Sequence, residues 1–310
     1  MTQANPLHPA RYLHTIHAAA ECERLRQIYT HVFGGITFHE SYFAPQDRDA
    51  ALLYVADHMI EVMSPRHAED MSFMYARYLA KAGPGYHSIS FRIDSVRAGR
   101  ERCDELGIKI NTEGPGLIFL HPKNTGGLIM ELTEHRMPND PWDLPNWRRD
   151  WAVGRPAKPH ALAHVVCAPR YPEVALKFLV EVLDGKAGPA RTISWPEPAQ
   201  ATPVEVADIT LLILQPENLT GELAQFAGRT NGGVYALAWQ VADPMQMANW
   251  FADNAIFEIA AASLNDYAAP YTHEVILNGA RHWFMAGQVP TPSVDQPRKR
   301  ARSCHWMKSL

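Results

Sequence analysis

Three acidic or imidazole side chains stand in settings where a polar group needs a reason to be there. Glu131 lies among Leu128, Ile129, Met130 and Leu132. A carboxylate in such apolar surroundings needs a charged partner, a hydrogen-bond donor or a metal to offset its desolvation. Glu61 is flanked by Ile60 and Val62, in a run that reads as a strand. Its carboxylate therefore points either to solvent or into a polar pocket on the opposite side from those two. His14 sits in a short strand-like run, Leu13 to Ala19. The chain holds 15 histidines. Imidazole titrates near neutrality and is the commonest protein metal ligand, so proton transfer and metal binding are the two chemistries these types offer. The four cysteines (Cys22, Cys103, Cys167, Cys304) are scattered and form no CxxC pair. Neither a thiolate metal cage nor a disulfide framework is expected, and a reducing cytoplasm is the plain expectation.

The elements that position these residues follow from internal repeats. Leu13 to Ala19 is followed by a helical pattern through Leu25, Ile28, Tyr29 and Val32 and then Gly34-Gly35. Ala163 to Pro169 is followed by Val174, Leu176, Phe178, Leu179 and Val182 and then Gly185. Each reads as strand, polar turn, helix and glycine stop. Two further strand–helix openings lie between and after them, at Gly85–Asp94 and Gly233–Val241. Strand-like runs follow each opening. The economical parse is an α+β chain of four βαβββ units, two per domain: one domain over 11–136 and another over 160–287. Between them, 137–159 carries Pro138, Pro141, Pro145, Pro156 and Pro159 with Trp142, Trp147 and Trp151. Proline breaks helices and interior strands, so this is a linker, and its tryptophans should pack on a domain. The stretch 288–310 reads as a polar tail.

Length and charge agree with this parse. The 310 residues suggest two domains at the usual domain size. A net charge of -4 argues against a nucleic-acid binder. The N-terminus lacks the apolar run of a secretory signal, and no stretch approaches a membrane span. A small-molecule partner is expected, with neither nucleic acid nor membrane, and a homodimer is compatible with the sequence.

The run Phe119-Leu120-His121-Pro122-Lys123-Asn124-Thr125-Gly126-Gly127-Leu128-Ile129-Met130-Glu131-Leu132 closely resembles the last two strands of methylmalonyl-CoA epimerases. Tandem βαβββ units with a histidine in the first strand are similar to the vicinal oxygen chelate superfamily. That group includes glyoxalase I, the epimerases, extradiol dioxygenases and the fosfomycin and bleomycin resistance proteins. The resemblance implies two glyoxalase-like domains, each a cup of two βαβββ units, with one divalent metal ion (Zn, Fe, Mn, Co or Ni) held by equivalent strands. Carried over by position, the ligands fall on His14, Glu61 and Glu131. The aligned third slot falls on Ser88 instead of His87. A one-residue shift turns a strand side chain to the other face, so His87 is expected to face the helices unless a bulge brings it round. His17 or His121 would then be the alternatives to complete the shell. His121 and Lys123 in the hairpin loop are candidate substrate contacts.

The second domain keeps His164 in the first slot but has Leu212, Ala236 and no carboxylate in the others. It is expected to be a degenerate cup. Tyr42, Phe43, Tyr54, Phe73, Tyr75 and Tyr78 are candidates to line an apolar pocket in the first. The resemblance implies a metal-assisted lyase, isomerase or epimerase. Such an enzyme acts on a carbonyl or carboxylate substrate through an enolate-like intermediate, with Glu131 or Glu61 moving the proton. The alternatives are an extradiol-type Fe(II) dioxygenase and a non-catalytic binding protein that has lost its metal.

Overall fold

The computed structural model describes residues 5–137, 139–143, 159–194, 196–253, 260–263 and 271–286. Most of the Pro/Trp-rich linker, and the polar tail, lie outside these residues. The first half runs β1 (Arg11–Ala18), α1 (Cys22–Val32), β2 (Ile36–Phe43), β3 (Arg48–Val55) and β4 (His58–Pro65). After α2 (Met74–Ala82) come β5 (Gly85–Arg92), α3 (Val96–Glu105), β6 (Ile110–Gly114), β7 (Leu117–Leu120) and β8 (Met130–Thr133). The second half repeats this order. It has β9 (Ala161–Pro169), α4 (Pro172–Glu181), β10 (Lys186–Ala187), β11 (Arg191–Ile193), β12 (Ala199–Val206) and β13 (Ile209–Pro216). Then follow α5 (Glu222–Thr230), β14 (Gly232–Val241), α6 (Pro244–Asp253), β15 (Ala260–Ser263), β16 (Tyr271–Leu277) and β17 (Ala280–Ala286). The sheets have matching orders, β2-β3-β4-β1-β5-β8-β7-β6 and β10-β12-β13-β9-β14-β17-β16-β15, with β11 paired to β12. Four βαβββ units in two α+β domains are thus present.

Alternation along the strands sorts side chains between two faces. One face of the first sheet carries Leu53, Ile60, Val62, Ile89 and Phe91, on which α1 sets Leu25, Ile28, Tyr29 and Val32. That spacing is the apolar stripe of an amphipathic helix. The Ser95 hydroxyl caps α3 by accepting from Ala98 N at 3.3 Å, and Gly107 follows the helix at a φ of +67°. The same core continues into the second half through Phe178, Leu237, Trp239 and Phe284. Two aspartates clasp the halves reciprocally. Asp57, in the β3–β4 turn, accepts from Leu162 N at 2.8 Å, and Asp208, in the β12–β13 turn, accepts from Tyr12 N at 2.7 Å.

The opposite, concave face of the first sheet is covered at one end by α2, whose Tyr75 packs on Ile16, Ala18, Ala50 and Met63. This helix and its counterpart α5 were not read from the sequence. At the other end Met137 and Trp142, on the short described stretch of the linker, pack against Leu13, Leu52, Tyr54 and Met59. There Arg11 lies over the Trp142 ring at 4.4 Å, and its Nη2 donates to Tyr54 Oη at 2.6 Å.

Candidate active site on the concave face of the first sheet

His14, Glu61 and Glu131 come together on this face. Register explains why. Ile16 pairs with Glu61 across β1 and β4, while Ser90 of β5 pairs with His14 on one side and Glu131 on the other. Strands β4, β1 and β8, with β5 between the last two, thus aim three side chains at one point. His14 Nε2 lies 3.2 Å from Glu61 Oε2 and 3.5 Å from Glu131 Oε2. All three residues are buried, His14 to 1% exposure. Neither ring nitrogen of His14 makes a hydrogen bond, nor does the Ser90 hydroxyl. Buried polar atoms are rarely left so, because each forfeits its hydration without replacement.

The expected orientation of His87 is corrected. Ile16 pairs with Ser88 but His17 pairs with Tyr86, which leaves His87 as the extra residue of a β-bulge. The bulge turns His87 to the concave face alongside Ser88, whose Oγ lies 2.9 Å from His87 Nδ1. Its ring is gripped by Tyr75 and Tyr78 of α2, with centroids 4.7 Å away in each case. Burial pushes the His87 pKa down to about 3, helped by the Arg48 charge and opposed by Glu61. The imidazole is therefore neutral at physiological pH, as a ligand or hydrogen-bond acceptor must be.

Sequence reasoning did not single out Arg48. It opens β3 and shares the concave face with Ala50, Leu52 and Tyr54, two, four and six residues on, a spacing that could have shown its direction. Its Nη1 donates to Glu61 Oε1, and its Nε donates to Gln46 Oε1 at 2.8 Å. Burial alone would raise the Glu61 carboxyl, but the adjoining guanidinium outweighs it and holds the group below the usual carboxylate range. Glu61 is thus a fixed anion with Oε1 held and Oε2 turned toward His14.

The other candidates lie elsewhere. His17 points to the opposite face, where it meets Tyr29 Oη at 2.8 Å and Asn278 O at 3.1 Å, so it cannot complete the shell. His121 Nδ1 accepts from Lys123 N at 3.1 Å. The loop that carries both docks on the second half, with Tyr171 N donating to Gly126 O at 3.0 Å. No contact of His121 or Lys123 with the cluster is present among the described residues. Tyr42 and Phe43 are exposed at 42% and 38%; Tyr42 stacks with Arg66 away from the cluster, and Phe43 flanks Arg48 at 5.5 Å.

The second cup keeps the histidine of the first and differs from it at the other positions. His164 lies opposite Ala238 as His14 lies opposite Ser90. Leu212 takes the Glu61 place, Tyr235 the bulged His87 place and Trp283 the Glu131 place. That face is packed with Leu212, Leu214, Leu223, Tyr235 and Trp283. Trp283 Nε1 donates to Glu274 at 2.9 Å, and Arg281 ties Glu274 to Glu222. It is a face filled with side chains.

Among the described residues no group of three His, Cys, Asp or Glu is placed to hold a metal ion. The donor types around His14 are nevertheless those of a divalent-metal shell. Ligand bonds of about 2.1 Å place neighbouring donors roughly 3.0–3.4 Å apart in octahedral or tetrahedral shells. The Glu61 oxygen stands at such an edge distance, 3.2 Å, and the Glu131 oxygen just beyond it, 3.5 Å, from an imidazole nitrogen that lacks a hydrogen bond. Imidazole with carboxylate suits borderline and hard divalent metals. Arg48 on the far oxygen of Glu61 is the kind of outer contact that orients a ligating carboxylate.

No protein-family model matches the chain, and no curated protein does. Among solved structures, a variant of 4-hydroxymandelate synthase from Streptomyces coelicolor superimposes over 90% of this chain and 94% of its own, with a TM-score of 0.62 at 16% identity. Methylmalonyl-CoA epimerase from Mycobacterium tuberculosis matches 44% of this chain and 94% of its own, with a TM-score of 0.39 at 27% identity. A Streptomyces coelicolor methylmalonyl-CoA epimerase variant in complex with 2-nitronate-propionyl-CoA matches 40% and 96%, with a TM-score of 0.37 at 25% identity. Only the first overlay spans both halves. No helix among the described residues is long and apolar enough to cross a membrane. The repeat order, the paired sheets and the full-length overlay together give this chain the vicinal oxygen chelate fold in its tandem, two-domain form.

Proposed function

We propose that the chain is a metal-assisted enzyme of the lyase, isomerase or epimerase kind, acting on a small carbonyl- or carboxylate-bearing substrate in the first cup. The observation that carries this reading is the convergence of Glu61 and Glu131 on an unbonded, buried His14 nitrogen. His14, Glu61 and Glu131 would hold the ion, with the bulged His87 as the fourth donor. When bound, the metal supplies Lewis-acid stabilisation of negative charge on substrate oxygens.

The residues divide the remaining work. Arg48 keeps Glu61 ionised and oriented, which makes Glu61 a poor proton acceptor. Among the described residues no arginine hydrogen-bonds Glu131, which we assign as the carrier for a proton taken from the carbon next to a carbonyl. Tyr75, Tyr78 and Phe119 surround His87. They exclude water from the side of the cup where an enolate-like species would form. Solvent-exchange NMR tests the reading. The Mn-reconstituted protein should wash deuterium into the acidic carbon position of methylmalonyl-CoA or of a 2-oxo acid, and Glu131→Gln should lose most of that rate. Exchange that is absent, or indifferent to Glu131, contradicts it.

A second reading is favoured by one specific finding. With His87 turned inward, the concave face carries two histidines, His14 and His87, and the Glu131 carboxylate, the donor types used by non-haem Fe(II) oxygenases. Iron retention together with oxygen uptake on catechols would favour it. A metal-loaded protein inert to oxygen would exclude it.

A further inference from the structure

We propose that Arg48 is the anion-recognising residue of the first cup, and that the substrate is a small acid whose carboxylate this guanidinium receives. This rests on the reading of the cup as a divalent-metal site.

The geometry of Arg48 supplies the first argument. Its Nη1 is engaged by Glu61 and its Nε by Gln46, while its Nη2 makes no hydrogen bond among the described residues. Guanidinium carries five donors in a planar fork. The Phe43 and Tyr75 rings lie 5.5 and 5.7 Å from its carbon. Aromatic groups therefore border the cation, and the Nη2 side is what remains for a hydrogen-bonding ligand. The Arg48 side chain is 16% exposed, against 1% for His14. It stands nearer the mouth of the cup, with the His14 cluster deeper. An acid held by Arg48 would enter with its carboxylate toward solvent and its reactive carbon toward Glu131.

Charge supplies the second argument. Glu61 and Glu131 bring two negative charges and Arg48 one positive charge, while metal-ligating imidazoles are neutral. A divalent ion would leave the buried cup with one excess positive charge. Buried net charge is unfavourable unless paired. A monoanionic substrate cancels it, and a neutral or cationic one does not. Tyr75, Tyr78 and Phe119 around His87 suit an apolar or aromatic remainder.

Phenylacetate and phenylacetamide, which match in shape and differ in charge, test this by titration calorimetry on the full chain, with and without Mn. Phenylacetate should bind about 10- to 100-fold more tightly, the range of a charge-assisted hydrogen bond. Arg48→Met should erase that preference, read as the ratio of the two affinities within the variant because the change also releases Glu61. Arg48→Lys, which keeps the charge without the fork, should reduce the preference several-fold and decides the matter if the Met variant does not fold. Equal binding of the two probes, no binding of either up to millimolar concentration, or a preference unchanged in the arginine variants overturns the proposal; in the last case the carboxylate sits on the metal. A chain that takes up no Mn yet shows the Arg48-dependent preference sustains the anion site and refutes the metal reading alone.

Discussion

Replacing His17 with glutamine should flatten the acid limb of this protein's stability curve. His17 is fully buried where the two halves meet. The hydrogen bonds around it assign one consistent set of tautomers. Trp239 Nε1 donates to His282 Nδ1 at 3.0 Å. His282 Nε2 then donates to Tyr29 Oη at 3.3 Å, Tyr29 donates to His17 Nδ1 at 2.8 Å, and His17 Nε2 donates to Asn278 O at 3.1 Å. This chain is satisfied only while both histidines stay neutral. Burial pushes the His17 pKa from 6.5 down to about 4, with the Asn278 carbonyl pulling weakly the other way. Between those pH values the unfolded chain binds a proton that the folded chain refuses. The stability is complete above pH 6.5 and drains away as pH falls toward 4. One group drains about 1.4 kcal/mol per pH unit, hence roughly 2–3 kcal/mol by pH 4.5. Glutamine does not titrate, and its amide reaches fewer of these partners, so the variant should be about 1–2 kcal/mol weaker at pH 7.5. The gap should close or reverse by pH 4.5. Urea denaturation followed by circular dichroism at pH 7.5, 6.5, 5.5 and 4.5 reads both limbs. Stability curves of the two proteins that run parallel across this range would refute the reasoning.

The reciprocal clasps predict that Asp57→Ala and Asp208→Ala cost similar amounts, about 1–2 kcal/mol each, because each removes one carboxylate bond to a backbone N–H across the two halves. Thermal unfolding should show comparable losses; a shift from only one of them would deny the symmetry. Gly126→Ala should be far more damaging than Gly83→Ala. Both residues have positive φ, but a Cβ on Gly126 would meet Tyr171 O at 2.5 Å and Ala175 N at 2.7 Å, whereas one on Gly83 meets nothing within 4 Å. The second change should cost about 1–3 kcal/mol of backbone strain, since Gly83 at φ +74° and ψ −177° lies in a region essentially confined to glycine, and equal effects in denaturation would contradict the packing described here.

The sequence carried the architecture because repeats expose it: His14 and His164 open equivalent strands, and the glycine stops recur after equivalent helices. The family resemblance of the β4 and β8 runs is what pointed to Glu61 and Glu131 together, and the alternation of each strand is consistent with a shared face. His87 was misdirected because a bulge adds one residue without any local sequence mark, and strict period-two counting then assigns the wrong face. Helices α2 and α5 escaped notice because they lie outside the four repeated units, as short apolar patterns between them. Arg48 escaped for a different reason. A basic residue at the start of a strand reads as solvated, and only the β3–β4 pairing, with Leu52 opposite Glu61, brings its long side chain to the Glu61 carboxylate. His121 and Lys123 were drawn in by the resemblance of their loop, yet that loop packs on the second half, away from the cup.

Metal content is the most direct test of the central claim. The purified protein, reconstituted with Mn or Zn and desalted, should retain about one divalent ion per chain by inductively coupled plasma mass spectrometry. His14→Ala and Glu131→Ala should each lose most of it, and His164→Ala, in the filled second cup, should lose none. Full metal content in both His14→Ala and Glu131→Ala, or a wild-type chain that retains no ion, would contradict the account.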